Sequence, residues 1–340
     1  MATIKDIAKK CRVSTSTVSK ALNGYRDIGA EKREEIKKAA VELGYLPPDG
    51  RRAIKSKKTY NIGVLFSTLF DYGLRNEYFA HILAAFKEKA ALKGYDITFI
   101  EHNMGKRRMS YLEHCRYRNF DGVFIVCADF AQAQVIELVN SPYPVVTVDQ
   151  VSNEAISILS DNYDGMKQLT QYIINCGHKR IAYIHGNISS VTHNRLVGFH
   201  NAMKENGLTI PEEYLVEGIY RNSEACEELA KDLLKLPVPP TCIIAPDDYA
   251  ALGVMNGIRK QGFKVPEDIS VAGYDGISVS QAIEPRLTTV KQDTDKIGSE
   301  AAKQLISLIE SPMTTSLDSV CLGVELIEGG TVKKIIDWKA

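Results

Sequence analysis

Two short amphipathic segments open the chain. Ile4, Ile7 and Ala8 fall at i, i+3 and i+4, the spacing of one helix face. Val18, Ala21 and Leu22 repeat that spacing. Between them Cys11-Arg12-Val13 predicts a tight connection with Val13 as its apolar plug, and Ser14 stands where an N-cap belongs. A third helix is predicted over 30–43, where Ile36, Ala39, Ala40 and Leu43 share a face and Gly44 takes the C′ position. Two short helices, a tight turn and a supporting third helix describe a helix-turn-helix unit. The run 47–59 is Pro/Gly-rich and then basic, and reads as a linker.

From Tyr60 the pattern changes to apolar runs alternating with amphipathic stretches. Strands are predicted over 61–66, 96–101, 122–126 and 144–148, with helices over 79–93, 106–119 and 131–140. A second series follows. Asp161 opens a helix to Cys176, closed by Gly177. Strands over 180–184, 214–217, 242–245 and 269–273 alternate with helices over 194–206, 223–236 and 248–261, and a last helix spans 293–310. Continuous apolar strands separated by helices make parallel sheets covered on both faces. Two series of similar length imply two α/β lobes.

The second helix of the opening unit carries the most informative chemistry. Thr15, Ser16, Thr17, Ser19 and Lys20 crowd its start and middle. A solvated helix of a small bundle could carry such a face. A helix whose N-terminal end enters a DNA major groove uses it, because short hydroxyls and a Lys reach base edges and phosphates. Charge supports the second reading. The 340-residue chain has zero formal net charge, but residues 1–60 hold 15 Lys and Arg against 7 Asp and Glu, leaving 27 against 35 for the rest. A basic head on an acidic body fits double-stranded DNA as partner. A membrane is not expected, since no apolar run approaches the roughly 18 residues a span needs.

The seven Cys (11, 115, 127, 176, 226, 242 and 321) are scattered with no Cys-x-x-Cys spacing, and the seven His are equally scattered. They read as reduced residues of a cytoplasmic protein, with no metal site and no cofactor expected. No Gly-x-Gly-x-x-Gly, Gly-x-x-x-x-Gly-Lys, Gly-x-Ser-x-Gly or His-Glu-x-x-His occurs, so nothing argues for an enzyme.

The run Val13-Ser14-x-x-Thr17-Val18-Ser19-x-x-Leu22-Asn23-Gly24, followed by Glu42-Leu43-Gly44-Tyr45-x-Pro47, resembles the headpiece of the lactose/galactose repressor (LacI/GalR) family of bacterial transcription regulators. Phrases further on extend the resemblance over nearly the whole chain: Cys176-Gly177-His178-Lys179-Arg180-Ile181-Ala182, Arg195-x-x-Gly198-Phe199, Val265-Pro266-Glu267-Asp268-Ile269, Gly273-Tyr274-Asp275 and Leu287-Thr288-Thr289-Val290. The resemblance implies a helix-turn-helix headpiece at 1–46, a hinge at 47–59, and a two-lobed periplasmic-binding-protein-like core at 60–340 for effector binding and dimerisation. Lobe 1 would comprise about 60–160 and 291–319, and lobe 2 about 161–290 and 320–340, with crossings near Asp161, 287–292 and 317–321.

By the same resemblance Thr15, Ser16 and Lys20 read base edges, while Thr17, Ser19 and Asn23 hold the DNA backbone. Arg52 belongs to the hinge, and Ile54 takes the place of the family's Leu as a minor-groove wedge. Pro48, Gly50 and Arg51 depart from the family pattern, and Gly50 weakens a hinge helix by about 1 kcal/mol relative to Ala.

Open α/β lobes bind ligands at the carboxyl ends of their strands. Tyr78, Phe79, Asp149, Arg195, Tyr220, Asp247 and Asp275 fall there, at positions resembling the family's effector pocket. Carboxylates accept paired hydrogen bonds from vicinal hydroxyls, Arg donates a planar fork, and an aromatic face packs on a sugar. Plainer roles stay open: Phe79 as core, Asp149 as a cap or lobe contact, Asp275 as a turn residue, Arg195 as a surface residue at a helix start. The expectation is a homodimeric repressor of a carbohydrate-utilisation operon, released from its operator by a sugar. The alternative is a corepressor-dependent regulator gated by a purine-like molecule or a protein partner, since Tyr78-Phe79 could stack on a base.

Overall fold

In the computed structural model the described residues are 4–22, 28–43, 58–66, 73–104 and 107–335. Asn23, Arg52 and Ile54, with most of the expected hinge, lie outside them. The chain divides into two compact units, Met1–Thr59 and Tyr60–Ala340.

The first unit holds helices Ile4–Cys11, Thr15–Leu22 and Ala30–Glu42. The turn between the first two is closed by Val13 N–H donating to the Ala8 carbonyl at 3.0 Å, with Arg12 at φ 50°. Ser14 caps the second helix: its Oγ accepts from Thr17 N–H at 3.0 Å. Ile7, Val18, Ala21 and Ile36 are fully buried where the three helices meet. Burying each of the Ile and Val side chains contributes about 1.5–3 kcal/mol, a large share for so small a core.

In the second unit a six-stranded sheet runs in the order Val320–Leu322, Ile156–Ser160, Val145–Val148, Gly122–Cys127, Asn61–Phe66, Asp96–Phe99, and every neighbouring pair is parallel. Helices Glu77–Ala91 and Thr294–Glu310 cover one face, with Phe86 stacked on Phe124 at 4.0 Å between ring centroids. Gly298 permits that helix pair, since a Cβ there would meet the Ile82 carbonyl oxygen. Helices Tyr111–Arg118 and Ala133–Val139 cover the other face.

The second sheet runs Ser270–Ala272, Cys242–Ile244, Ile181–His185, Leu215–Glu217, also parallel. It continues through single bridges, Ala272 to Thr288 and Asp275 to Lys291, into strand Thr289–Gln292, which pairs antiparallel with Val324–Ile327. Helices Asn162–Asn175, Ser190–Glu205, Ser223–Leu234 and Asp248–Lys260 enclose it. In both sheets the first strand lies between the second and the third, which opens a crevice at the strands' carboxyl ends. Ile277, Val279 and Tyr249 of the second lobe pack onto the apolar cluster of the first, so the lobes touch directly.

Several expected elements change. The helix expected over 106–119 is Tyr111–Arg118, closed at its start by a Ser110–Glu113 capping box. A short hairpin, Asn103–Met104 with Arg107–Arg108, precedes it. Strand Ile156–Ser160 was not expected at all. Its two serines mask it, because Ser157 is buried and bonded to the Thr147 hydroxyl at 3.2 Å. The second-lobe helix begins at Ser190, capped by Ser189, not at Asn194. Val320–Leu322 pairs with Ile156–Ser160 in the first sheet, so the lobe boundary expected at 319/320 falls after Leu322. The other crossings follow Ser160 and Gln292, whose next residues, Asp161 and Asp293, cap the helices that begin the new lobe. Among the described residues no helix is long and apolar enough to cross a membrane.

Candidate effector site and DNA-reading helix

Arg195 is the centre of the interlobe site. It sits in helix Ser190–Glu205 and is only 3% exposed. Its Nε donates to Asn162 Oδ1 at 2.7 Å and its Nη1 to the Pro246 carbonyl at 3.0 Å, while Nη2 lies 3.6 Å from Asp275 Oδ1. The guanidinium carbon is 3.6 Å from the centroid of the Tyr274 ring and 5.8 Å from that of Tyr220. Stacking and the two donors on Asn162 and Pro246 hold it still, with Nη2 directed to Asp275.

Asp275 follows the strand Ser270–Ala272 at φ 103°. Its Oδ1 also accepts from Gln292 Nε2 at 2.8 Å. Burial pushes its carboxyl up to about 7, against the opposing pull of Arg195. From the first lobe, the buried Tyr78 donates from its hydroxyl toward Asp149 Oδ2 and Gln292 Oε1, each at 3.2 Å. Asp149, at φ 59°, has its carboxyl raised by burial, against the opposing pull of Arg195 and of hydrogen bonds from Tyr78 and the Ser160 main chain. Asp149, Arg221 and Asp275 are three of the six non-glycine residues at positive φ among the described residues. Backbone strain of this kind persists where the surrounding structure holds it, and it concentrates at binding sites.

The seven expected residues thus separate. Tyr78, Asp149, Arg195 and Asp275 converge. Tyr220 joins them through its hydroxyl, which shares a 2.9 Å hydrogen bond with Thr192 Oγ1, and its ring lies against Gly186, where a Cβ would strike it. Asp247 is engaged by main chain: Oδ1 accepts from Ala250 N–H at 2.9 Å and Oδ2 from Arg221 N–H at 2.5 Å, so it caps helix Asp248–Lys260 and fixes the 220–221 loop. Phe79 lies edge-on to Phe66 and Tyr78 against the first-lobe core, the plain packing role. Sequence reasoning missed Gln292, Tyr274, Asn162 and Thr192. The available signals were a Gln ending a buried strand and an Asn one residue after a helix-capping Asp.

Further bonds cross directly between the lobes. Arg221 Nη1 donates to Asn76 Oδ1 at 3.1 Å, Ser278 N–H to Glu77 Oε1 at 2.7 Å, and Ser190 Oγ to the Asp149 carbonyl at 3.0 Å. On the second helix of the headpiece, Thr15, Ser16 and Lys20 are exposed, while Thr17 and Ser19 are half-buried. Ser14 Oγ shares hydrogen bonds with the hydroxyls of Ser16 at 2.7 Å and Thr17 at 2.8 Å.

Comparison with known proteins gives this geometry its context. Residues 3–48 match the family described as bacterial regulatory proteins, lacI family, and residues 170–332 match the periplasmic binding protein-like domain. The HTH-type transcriptional repressor PurR of Haemophilus influenzae is 31% identical over 342 residues, covering 99% of this chain and all of that protein. The chain belongs to the LacI family. PurR of Pasteurella multocida is 33% identical over 314 residues, covering 91% of this chain and 92% of its own. Among solved structures, the lac repressor dimer bound to operator and the anti-inducer ONPF aligns with a TM-score of 0.77 at 27% identity, covering 98% of this chain and 99% of that one. A complex of the transcriptional regulator CelR with cellobiose aligns with a TM-score of 0.69 at 25% identity, covering 97% and 100%. As a LacI-family member the chain is a DNA-binding regulator of transcription, not an enzyme. The headpiece and the two-lobed core with parallel sheets are the family's fold.

Proposed function

We propose that the chain is a repressor that binds its operator as a homodimer and is released when a sugar occupies the Arg195–Asp275 centre. The convergence of Arg195, Asp275, Gln292 and Tyr78 carries this reading. A carboxylate that accepts, a guanidinium that donates and an amide that does both suit vicinal hydroxyls, which need donors and acceptors side by side. The CelR structure, a cellobiose complex, adds support.

In the headpiece, Thr15, Ser16 and Lys20 read base edges, and Thr17, Ser19 and Asn23 hold phosphates. Arg52 and Ile54 act in the hinge, Ile54 as the apolar wedge. A dimer places one headpiece on each half of a near-palindromic operator. The direct lobe-to-lobe bonds give the ligand something to compete with. A sugar that replaces Tyr78–Gln292 and Asp275–Gln292 contacts with its own changes the balance between lobe arrangements, a population shift.

A second reading, a purine-like corepressor that tightens DNA binding, is favoured by the PurR relatives at 31% and 33% identity. One experiment separates the two: operator binding by the full chain, with and without pentoses, hexoses, disaccharides and purine bases. Weakening by a sugar supports the first reading. Tightening by a purine base, with no sugar effect, replaces it with the second.

A further inference from the structure

The chain enters the core at Tyr60 with a backbone that an aromatic residue rarely adopts. Tyr60 is the first residue of the second compact unit and directly precedes strand Asn61–Phe66, and its φ is 57°. A bulky residue in the left-handed region is a genuine outlier, and it persists where its surroundings hold it. Three contacts hold this one. Its N–H donates to Asp121 Oδ2 at 2.6 Å, and its carbonyl accepts from Asp96 N–H at 2.8 Å. Its ring lies 5.3 Å from that of the buried Tyr95, with 51° between the planes. The Tyr60 ring stays 45% exposed, so core packing does not account for the turn. Asp121 is itself fixed, since its N–H donates to the Asn61 carbonyl at 2.9 Å.

Tyr95, Tyr60 and Asp121 each stand directly before one of three adjoining strands, Asp96–Phe99, Asn61–Phe66 and Gly122–Cys127. The clamp is therefore referenced to the first-lobe sheet and not to a loop. Rotation about φ redirects the chain before a residue and leaves its carbonyl in place. At Tyr60 the carbonyl stays in the ladder with Asp96, so the positive φ acts on the heading of the residues before it. Those residues lead to the hinge and the headpiece.

We infer that Tyr60, held by Asp121 and Tyr95, is a positioning residue for operator recognition, resting this on the homodimeric reading above. It fixes the direction in which the hinge leaves each core, and so the half-site spacing that the paired headpieces accept. Base preference within one half-site is set by the headpiece alone. Two linked headpieces gain affinity only where geometry lets both engage at once, so a loosened exit shows first as lost spacing preference.

Operators recovered by binding selection of the full chain from random duplexes supply the probe. Binding is then measured on that operator, on versions with the half-sites moved apart or together by one or two base pairs, and on a single half-site. Tyr60→Ala removes the ring and disfavours the left-handed turn, and Asp121→Ala removes the carboxylate. Each should weaken the best-spaced operator about tenfold and level the spacings to within about threefold, with the single half-site unchanged. Tyr60→Phe keeps the ring and Asp121→Asn keeps an acceptor, so both should retain the parent's spacing preference. The single half-site also reports folding of the headpiece, and a thermal melt reports that of the core. Alanine variants that keep the parent's spacing preference, or that weaken every duplex alike, would overturn the inference and leave the homodimeric reading standing. A parent that binds paired half-sites no better than one would remove both.

Discussion

Replacing Asp275 by Asn should abolish the effector response while making the chain relatively more stable as pH rises. In the folded chain burial raises this carboxyl to about 7, whereas an unfolded Asp titrates near 3.9. Between those values the folded state binds more protons than the unfolded state. Stability from this group is therefore present at low pH and is lost as pH rises toward 7. The slope approaches about 1.4 kcal/mol per pH unit, so from pH 5 to pH 7 the parent should lose roughly 2–3 kcal/mol through this group. Asn cannot titrate and keeps a carbonyl oxygen for Gln292. The other buried carboxyls, Asp149, Asp247 and Asp248, remain in both proteins, and because the Asp275 charge helps raise Asp248, its removal eases that rise and flattens the variant's profile further. Urea unfolding followed by far-UV circular dichroism, at pH 5, 6, 7 and 8 and fixed protomer concentration, reads the difference directly. Parallel pH profiles for parent and variant would refute the claim that burial governs this carboxyl. Retained effector binding by the variant would remove Asp275 from the site.

Arg195→Lys should cost about 2–4 kcal/mol of stability, because Lys lacks the planar fork that reaches the Asn162 and Pro246 oxygens from two separate nitrogens and the flat face that stacks on Tyr274, and a buried orphan costs about 1–3 kcal/mol. A melting temperature within a degree of the parent would contradict this. Gly298→Ala should destabilise the first lobe by about 1–3 kcal/mol through overpacking against the Ile82 carbonyl, read by chemical denaturation, and an unchanged midpoint would mean the helices separate freely. Burial pushes His178 down to about 4, with its ring nitrogens on Thr241 Oγ1 and the Lys333 carbonyl. Its contribution is therefore full above about pH 6.5 and lost as pH falls toward 4, and His178→Gln should flatten that acid limb in a thermal melt series. Exchanging Thr15 and Ser16 should change which operator sequence is preferred in a binding selection, whereas uniform weakening on all DNA would limit them to backbone contacts.

Much of the architecture is legible because its causes are local. Helix periodicity and the helix starts at Ser14 and Asp161 are set by neighbours a few residues apart, and the structure shows both side chains accepting main-chain bonds there. Apolar runs such as Ile62–Phe66 report burial on both faces of a parallel sheet. Where local pattern and tertiary demand diverge, the reading fails. Ile156–Ser160 looks half-polar, yet its Ser157 is buried because Thr147 of the adjoining strand completes it. Val320–Leu322 could not be given to a lobe from sequence, since only pairing with Ile156–Ser160 decides it.

The site divides along the same line. Resemblance to the family's effector pocket, with chemistry suited to hydroxyls, picks out Arg195 and Asp275 from the sequence. It cannot show that Tyr274 lies beneath the guanidinium, that Gln292 comes from a distant strand to hold the carboxylate, or that Asp247 is consumed by main chain. Nor does it show that burial moves Asp275 to near neutrality, or that Asp149 and Asp275 are held at positive φ. The sequence by itself determined the headpiece, the two α/β lobes and the chemical classes at their mouths. Those follow from periodicity, capping and side-chain type, which act over a few residues. Only the tertiary structure decided which groups meet, which are spent on the fold and what charge they carry, because distance, desolvation and strain arise when strands far apart in the chain come together.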